Sequence, residues 1–120
     1  MSNRKNILVI DDEEILLQIA RDILTEFDFD VHTAGNGADG IRMYRDNADT
    51  IDLIILDMSL PGMSGTDVYE ELRKINPRAK VLFSSGAGSA EDLPPQDGIS
   101  FIPKPFSVME LVERVKEMIC

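Results

Sequence analysis

The 120 residues are 43% hydrophobic and 28% charged with 8 Gly and 6 Pro, a globular balance that excludes collagenous, low-complexity and disordered classes. A chain of this length buries roughly two-thirds of its unfolded surface and is expected to form one domain over 1–120. With 12 Lys+Arg against 22 Asp+Glu the net charge is −10, which disfavours nucleic acid and anionic membrane as partners and favours divalent cations or basic surfaces.

The basic residues 1–6 are followed only by Ile7-Leu8-Val9-Ile10 before Asp11, too short for an export signal or a membrane span. The single cysteine, Cys120, permits no intrachain disulfide, so a cytoplasmic setting is expected. Ile7 to Ile10 is short, apolar and branched, the pattern of a buried strand. Ile15, Leu16, Ile19, Ala20, Ile23, Leu24 and Phe27 form the apolar stripe of a helix. Phe29 to Ala34 alternates and reads as an edge strand, with His32 on its exposed side. A turn at Gly35-Asn36-Gly37 precedes a weaker helix with Ile41, Tyr44 and Met43 inward.

Leu53-Ile54-Ile55-Leu56 is a third strand, ending at Asp57, and Pro61-Gly62 is a turn. Val68, Tyr69, Leu72 and Ile75 mark a third helix, closed by Asn76-Pro77. Lys80-Val81-Leu82-Phe83 is a fourth strand. Residues 84–100 are rich in Gly, Ser and Pro, and Ala90-Glu91-Asp92-Leu93 offers one helical turn before Pro94-Pro95 stops it. Phe101-Ile102 is a short fifth strand stopped by Pro103-Lys104-Pro105. The last helix opens on the capping box Ser107-Val108-Met109-Glu110 and turns Val108, Leu111, Val112, Val115 and Ile119 inward. Met58, Met63, Met109 and Met118 read as packing.

Strand and helix alternate, and the strands are too far apart for hairpins. The expected fold is α/β: a doubly wound five-stranded parallel sheet of order 2-1-3-4-5, flavodoxin-like (βα)5, with a shortened or irregular fourth helix. Sites in such sheets lie at the carboxyl ends of the strands. There Asp11-Asp12 and Asp57 converge, the fourth strand adds Ser84-Ser85 and the fifth Lys104. Any one Asp after a strand reads first as a helix cap or turn residue, Asp12 included. Three acids gathered without a cation would repel, so the set reads better as a hard-cation site. An anion beside the cation would explain Lys and Ser, and together they ask for phosphoryl chemistry. Gly35-Asn36-Gly37-Ala38-Asp39-Gly40 fits a dinucleotide pattern, but it follows the second strand rather than the first and reads as a turn.

Four segments carry a resemblance over the full length: Ile7-Leu8-Val9-Ile10-Asp11-Asp12-Glu13, Leu56-Asp57-Met58-Ser59-Leu60-Pro61-Gly62-Met63-Ser64-Gly65, Ser84-Ser85-Gly86 and Lys104-Pro105-Phe106. At these intervals the chain resembles the receiver domain of two-component response regulators. The resemblance implies Asp57 as phosphoryl acceptor, with Mg²⁺ held by Asp12, by Asp11 mostly through water, by Asp57 and by the Ser59 carbonyl. It implies Ser85 as the switch hydroxyl, Lys104 as the phosphoryl partner, and a cis Lys104–Pro105 peptide. Phe101 stands where the family often has a rotating Tyr, or is a plain core Phe. Ser59 and Ala87 occupy positions where the family tunes dephosphorylation.

The implied function is a phosphorylation-switched signalling module that catalyses only its own phosphotransfer and slow dephosphorylation. Its expected partners are a sensor histidine kinase or phosphotransfer domain and a downstream protein target, with no direct nucleic-acid or membrane binding. The chain would be a stand-alone regulator or a receiver from a hybrid kinase or larger regulator. Two rivals differ in class. A Mg²⁺ phosphatase with an aspartyl-phosphate intermediate needs a second Asp where Ser59 stands. A phosphorylation-independent interaction domain would not need Asp11, Asp12, Asp57, Ser85 and Lys104 together.

Overall fold

The computed structural model describes residues 4–85 and 98–119; for Ser85 it describes the backbone alone. The elements run β1 (Asn6–Ile10), α1 (Glu14–Glu26), β2 (Asp30–Ala34), α2 (Gly37–Asn47), β3 (Ile51–Asp57), α3 (Gly65–Ile75), β4 (Val81–Ser85), β5 (Ile99–Pro103) and α4 (Val108–Ile119). The five strands form one sheet of order β2-β1-β3-β4-β5, parallel at every pairing. This is the expected doubly wound architecture, with four helices among the described residues. The expected irregular fourth helix falls on residues outside the described ones.

The central strands are apolar throughout because both of their faces are covered. Leu8, Ile10, Ile54, Leu56, Val81 and Phe83 pack with Ile41 and Tyr44 of α2 and with Val68, Tyr69 and Leu72 of α3. The alternate residues Ile7, Val9, Leu53, Ile55, Leu82 and Ile102 pack with Ala20 and Leu24 of α1 and with Leu111, Val112 and Val115 of α4. Strand side chains alternate faces, so one unbroken apolar run supplies both layers.

The ends of the elements follow local chemistry. Asn36 caps α2 by accepting from the Asp39 N–H, at 2.8 Å. Ser64 caps α3 through the Asp67 N–H, at 3.1 Å. At α4 the expected capping box forms both ways, with Glu110 N–H to Ser107 Oγ at 3.1 Å and Ser107 N–H to Glu110 Oε1 at 3.3 Å. β5 is longer than expected and starts at Ile99, because it pairs with β4 from Val81↔Ile99 to Ser85↔Pro103.

Several inward assignments are corrected. Ile15 and Ile19 are 75% and 44% exposed, whereas Ala20 and Leu24 are buried. At 3.6 residues per turn, Ile15 and Ile19 lie roughly 100–140° around the helix from Ala20, off the face that meets the sheet. Val108 and Met109 are also exposed, in the first turn of α4 beside exposed Ser107 and Glu110. Asp12 does not cap α1: Glu13 holds the N-cap position and makes no side-chain cap bond. His32, expected on the exposed side of β2, is half-buried, its Nε2 lying 3.3 Å from Asn6 Oδ1.

Candidate functional site

The parallel register sets the carboxyl rim. Ile10 pairs with Leu56, so the next residues, Asp11 and Asp57, leave adjacent strands at the same level. Asp11 is anchored through its N–H to the Ala34 carbonyl at 3.1 Å, at the end of β2. Asp57 pairs with Ser84, and the Met58 N–H donates to the Ser84 carbonyl at 2.9 Å. Gly65 then closes the loop after Asp57. A Cβ there would meet Met58 Cα at 2.6 Å and the Asp57 carbonyl oxygen at 2.9 Å, so only glycine lets α3 start this close.

Asp11 and Asp57 are 2% and 3% exposed, whereas Asp12 is exposed. A carboxylate oxygen from each of Asp11, Asp12 and Asp57 lies within 4.8 Å of the other two. Each buried acid has one oxygen held by the backbone two residues on: Glu13 N–H to Asp11 Oδ1 and Ser59 N–H to Asp57 Oδ1, both 2.9 Å. Lys104 Nζ faces the other oxygens, at 3.1 Å from Asp11 Oδ2 and 3.5 Å from Asp57 Oδ2. It also lies 3.6 Å from Glu13 Oε1. The Lys104–Pro105 peptide is cis, as expected.

The structure therefore brings together Asp11, Asp12, Asp57 and Lys104, with Ser59 bound to Asp57 through its own N–H. Ser85 ends β4 on the same rim, paired with Pro103, and its side chain lies outside what is described. Ala87 lies outside the described residues. Phe101 is half-buried and stacks on Phe83, with centroids 5.4 Å apart and rings at 22°. Glu13 closes the first of the four resembling segments but carries no role there. Its place after Asp12 was the only signal, and nothing in a sequence says that its side chain turns to Lys104.

Burial is the main force raising the Asp11 carboxyl above its ordinary range. The Asp57 charge adds to it, while the Glu13 N–H and Lys104 oppose it. For Lys104, burial works to lower its pKa, but Asp11, Asp57 and Glu13 outweigh that and leave it raised. The rim thus keeps its ammonium charged and still carries more negative charge than that ammonium offsets. Oxygen donors of this kind fit a small hard cation such as Mg²⁺.

One consequence concerns stability. An acid whose pKa is raised by folding costs nothing at low pH, where it is protonated in both states. The cost appears as pH climbs through the unfolded and then the folded value. Asp11→Asn is therefore expected to be more stable than the parent at neutral pH in EDTA. That advantage should shrink to nothing as pH falls to about 4 and below. Urea midpoints of both proteins across that range check it, and a constant difference would refute it.

The family model for the response regulator receiver domain matches residues 7–116. The Chemotaxis protein CheY of Thermotoga maritima is 28% identical over 118 residues, covering 95% of this chain and 97% of that protein. The Sensor kinase CckA of Brucella abortus is 30% identical over 122 residues, covering 99% of this chain but 13% of the kinase. The crystal structure of a response regulator receiver domain protein from Clostridium thermocellum superposes with a TM-score of 0.88 at 32% identity, covering 95% of this chain and 93% of that one.

Proposed function

The chain belongs to the response regulator receiver domain family of two-component signalling, and on that premise we propose that residues 1–120 act as one receiver domain that accepts a phosphoryl group on Asp57. The observation that carries this reading is the rim itself: a buried Asp57 carboxylate beside two further acids and an ammonium, at the carboxyl ends of adjacent strands.

Asp11, Asp12, Asp57 and the Ser59 carbonyl would hold Mg²⁺, which when bound neutralises phosphoryl oxygens and draws the acids together. The transferred group passes through a loose, metaphosphate-like state, so the residues have mainly to position it and balance its charge. A carboxylate oxygen of Asp57 forms the new O–P bond. The N–P bond of the donor phosphohistidine breaks, and the freed imidazole takes up a proton. Lys104 pairs with one phosphoryl oxygen and Ser85 bonds another. Water later adds to phosphorus, the acyl O–P bond breaks, and inorganic phosphate leaves.

The donor would be a sensor histidine kinase or phosphotransfer domain, and the output a downstream protein rather than nucleic acid. No helix among the described residues is long and apolar enough to cross a membrane, and a cytoplasmic setting accords with such partners. Incubation with acetyl phosphate and Mg²⁺ is expected to raise the intact mass by one phosphoryl group, and EDTA to abolish the gain. No gain, together with no binding of Mg²⁺-dependent beryllofluoride, would leave a phosphorylation-independent interaction domain instead.

A further inference from the structure

We infer that Glu13 is a charge partner of Lys104 that competes with the incoming phosphoryl group for its ammonium. This rests on the reading of the rim as a phosphoryl-acceptor site. Glu13 reaches the rim twice. Its N–H orients Asp11 through the 2.9 Å bond to Oδ1, and its carboxylate lies 3.6 Å from Lys104 Nζ.

The three carboxylates around Lys104 are not equivalent. The side chains of Asp11 and Asp57 are 2% and 4% exposed and point into the acid cluster, where a cation would draw them. The Glu13 side chain, by contrast, is 65% exposed. Among the described residues the acid cluster that could hold a cation is Asp11, Asp12 and Asp57, without Glu13. Lys104 and Glu13 also line a shallow cleft of about 330 Å³ whose other walls are Leu16, Pro105 and Phe106.

When the two buried acids turn to a cation, Glu13 is the carboxylate left to Lys104. It keeps the ammonium at the rim but competes with a phosphoryl oxygen for it. Removing its charge frees Lys104 for the anion while taking nothing from the cation's own ligands. A partly exposed ion pair of this kind shifts an equilibrium only modestly, so the expected change is roughly two- to fivefold.

The test is beryllofluoride binding at saturating Mg²⁺, followed by fluorine NMR, with Mg²⁺ alone titrated by calorimetry. Glu13→Gln is expected to bind beryllofluoride two- to fivefold more tightly, roughly the range of such pairs, with no gain in affinity for Mg²⁺ alone. The gain should vanish when Lys104→Met is already present. Glu14→Gln, the next acid along, should match the parent.

An equal gain in the Lys104→Met background, from Glu14→Gln, or for Mg²⁺ alone would show a general charge effect and overturn the inference. So would the absence of any gain. If the parent itself bound Mg²⁺ but no beryllofluoride, the acceptor reading would fail, and this inference with it.

Discussion

Asp57→Asn is expected to take up no phosphoryl group from acetyl phosphate and Mg²⁺, under conditions in which the parent gains one. Among the three clustered acids, Asp11 and Asp57 share burial, a backbone hydrogen bond to one oxygen and an ammonium facing the other, but the ammonium stands further from Asp57, at 3.5 Å from Oδ2. Asp11 is also buried, but its free oxygen is the one bonded to Lys104 at 3.1 Å, and Asp12 is exposed.

The amide keeps the shape of the side chain, and its oxygen can still accept from the Ser59 N–H. What it loses is the anionic nucleophile. It also removes the neighbouring charge that adds to burial in raising the Asp11 carboxyl, so the variant should fold at least as well as the parent in EDTA. Intact mass and a thermal melt on the same sample check both halves. Uptake by the variant would move the acceptor to Asp11 or Asp12.

Phe83→Ala is expected to cost about 3–5 kcal/mol, a large share of the roughly 5–15 kcal/mol that holds a domain of this kind together. Phe83 is fully buried in β4. Its ring meets Tyr69 of α3 edge-on at 5.4 Å and stacks on Phe101 of β5, also at 5.4 Å. Truncation therefore opens a cavity and ends two aromatic contacts together. Urea denaturation followed by circular dichroism should show a lower midpoint with an unchanged slope. Phe101→Ala should cost less, since Phe101 is only half-buried. A loss below about 1.5 kcal/mol at Phe83 would mean that the neighbours close the space.

The fold and most of the rim were legible because both rest on short-range rules. Unbroken apolar runs at 7–10 and 53–56 announce strands covered on both faces, and an acid directly after each run can only sit at a carboxyl end. The cap at Ser107 was readable for the same reason, since its partner is three residues away.

What escaped depends on tertiary placement. The stripe of α1 is broad enough to face the sheet at several rotations, and only packing leaves Ile15 and Ile19 outside. Asp12 has a capping residue's composition, yet the helix begins one residue later and leaves it to the acid cluster. Glu13 carries no role in the sequence, where it appears only as the last residue of the segment 7–13. Its meeting with Lys104, 91 positions further on by residue number, exists only once β1 and β5 share a rim.

Both tyrosines of this tryptophan-free chain, Tyr44 and Tyr69, lie buried in the same layer, between the sheet and the pair α2 and α3. The opposite layer, under α1 and α4, holds phenylalanines alone among its aromatics: Phe27, Phe29 and Phe106. Tyrosine emission is consequently a one-sided optical probe. It should register loosening of the α2–α3 layer and stay dark to fraying of α1 or α4, which only helical ellipticity would reveal. A melt in which the two signals separate would identify which side of the sheet lets go first.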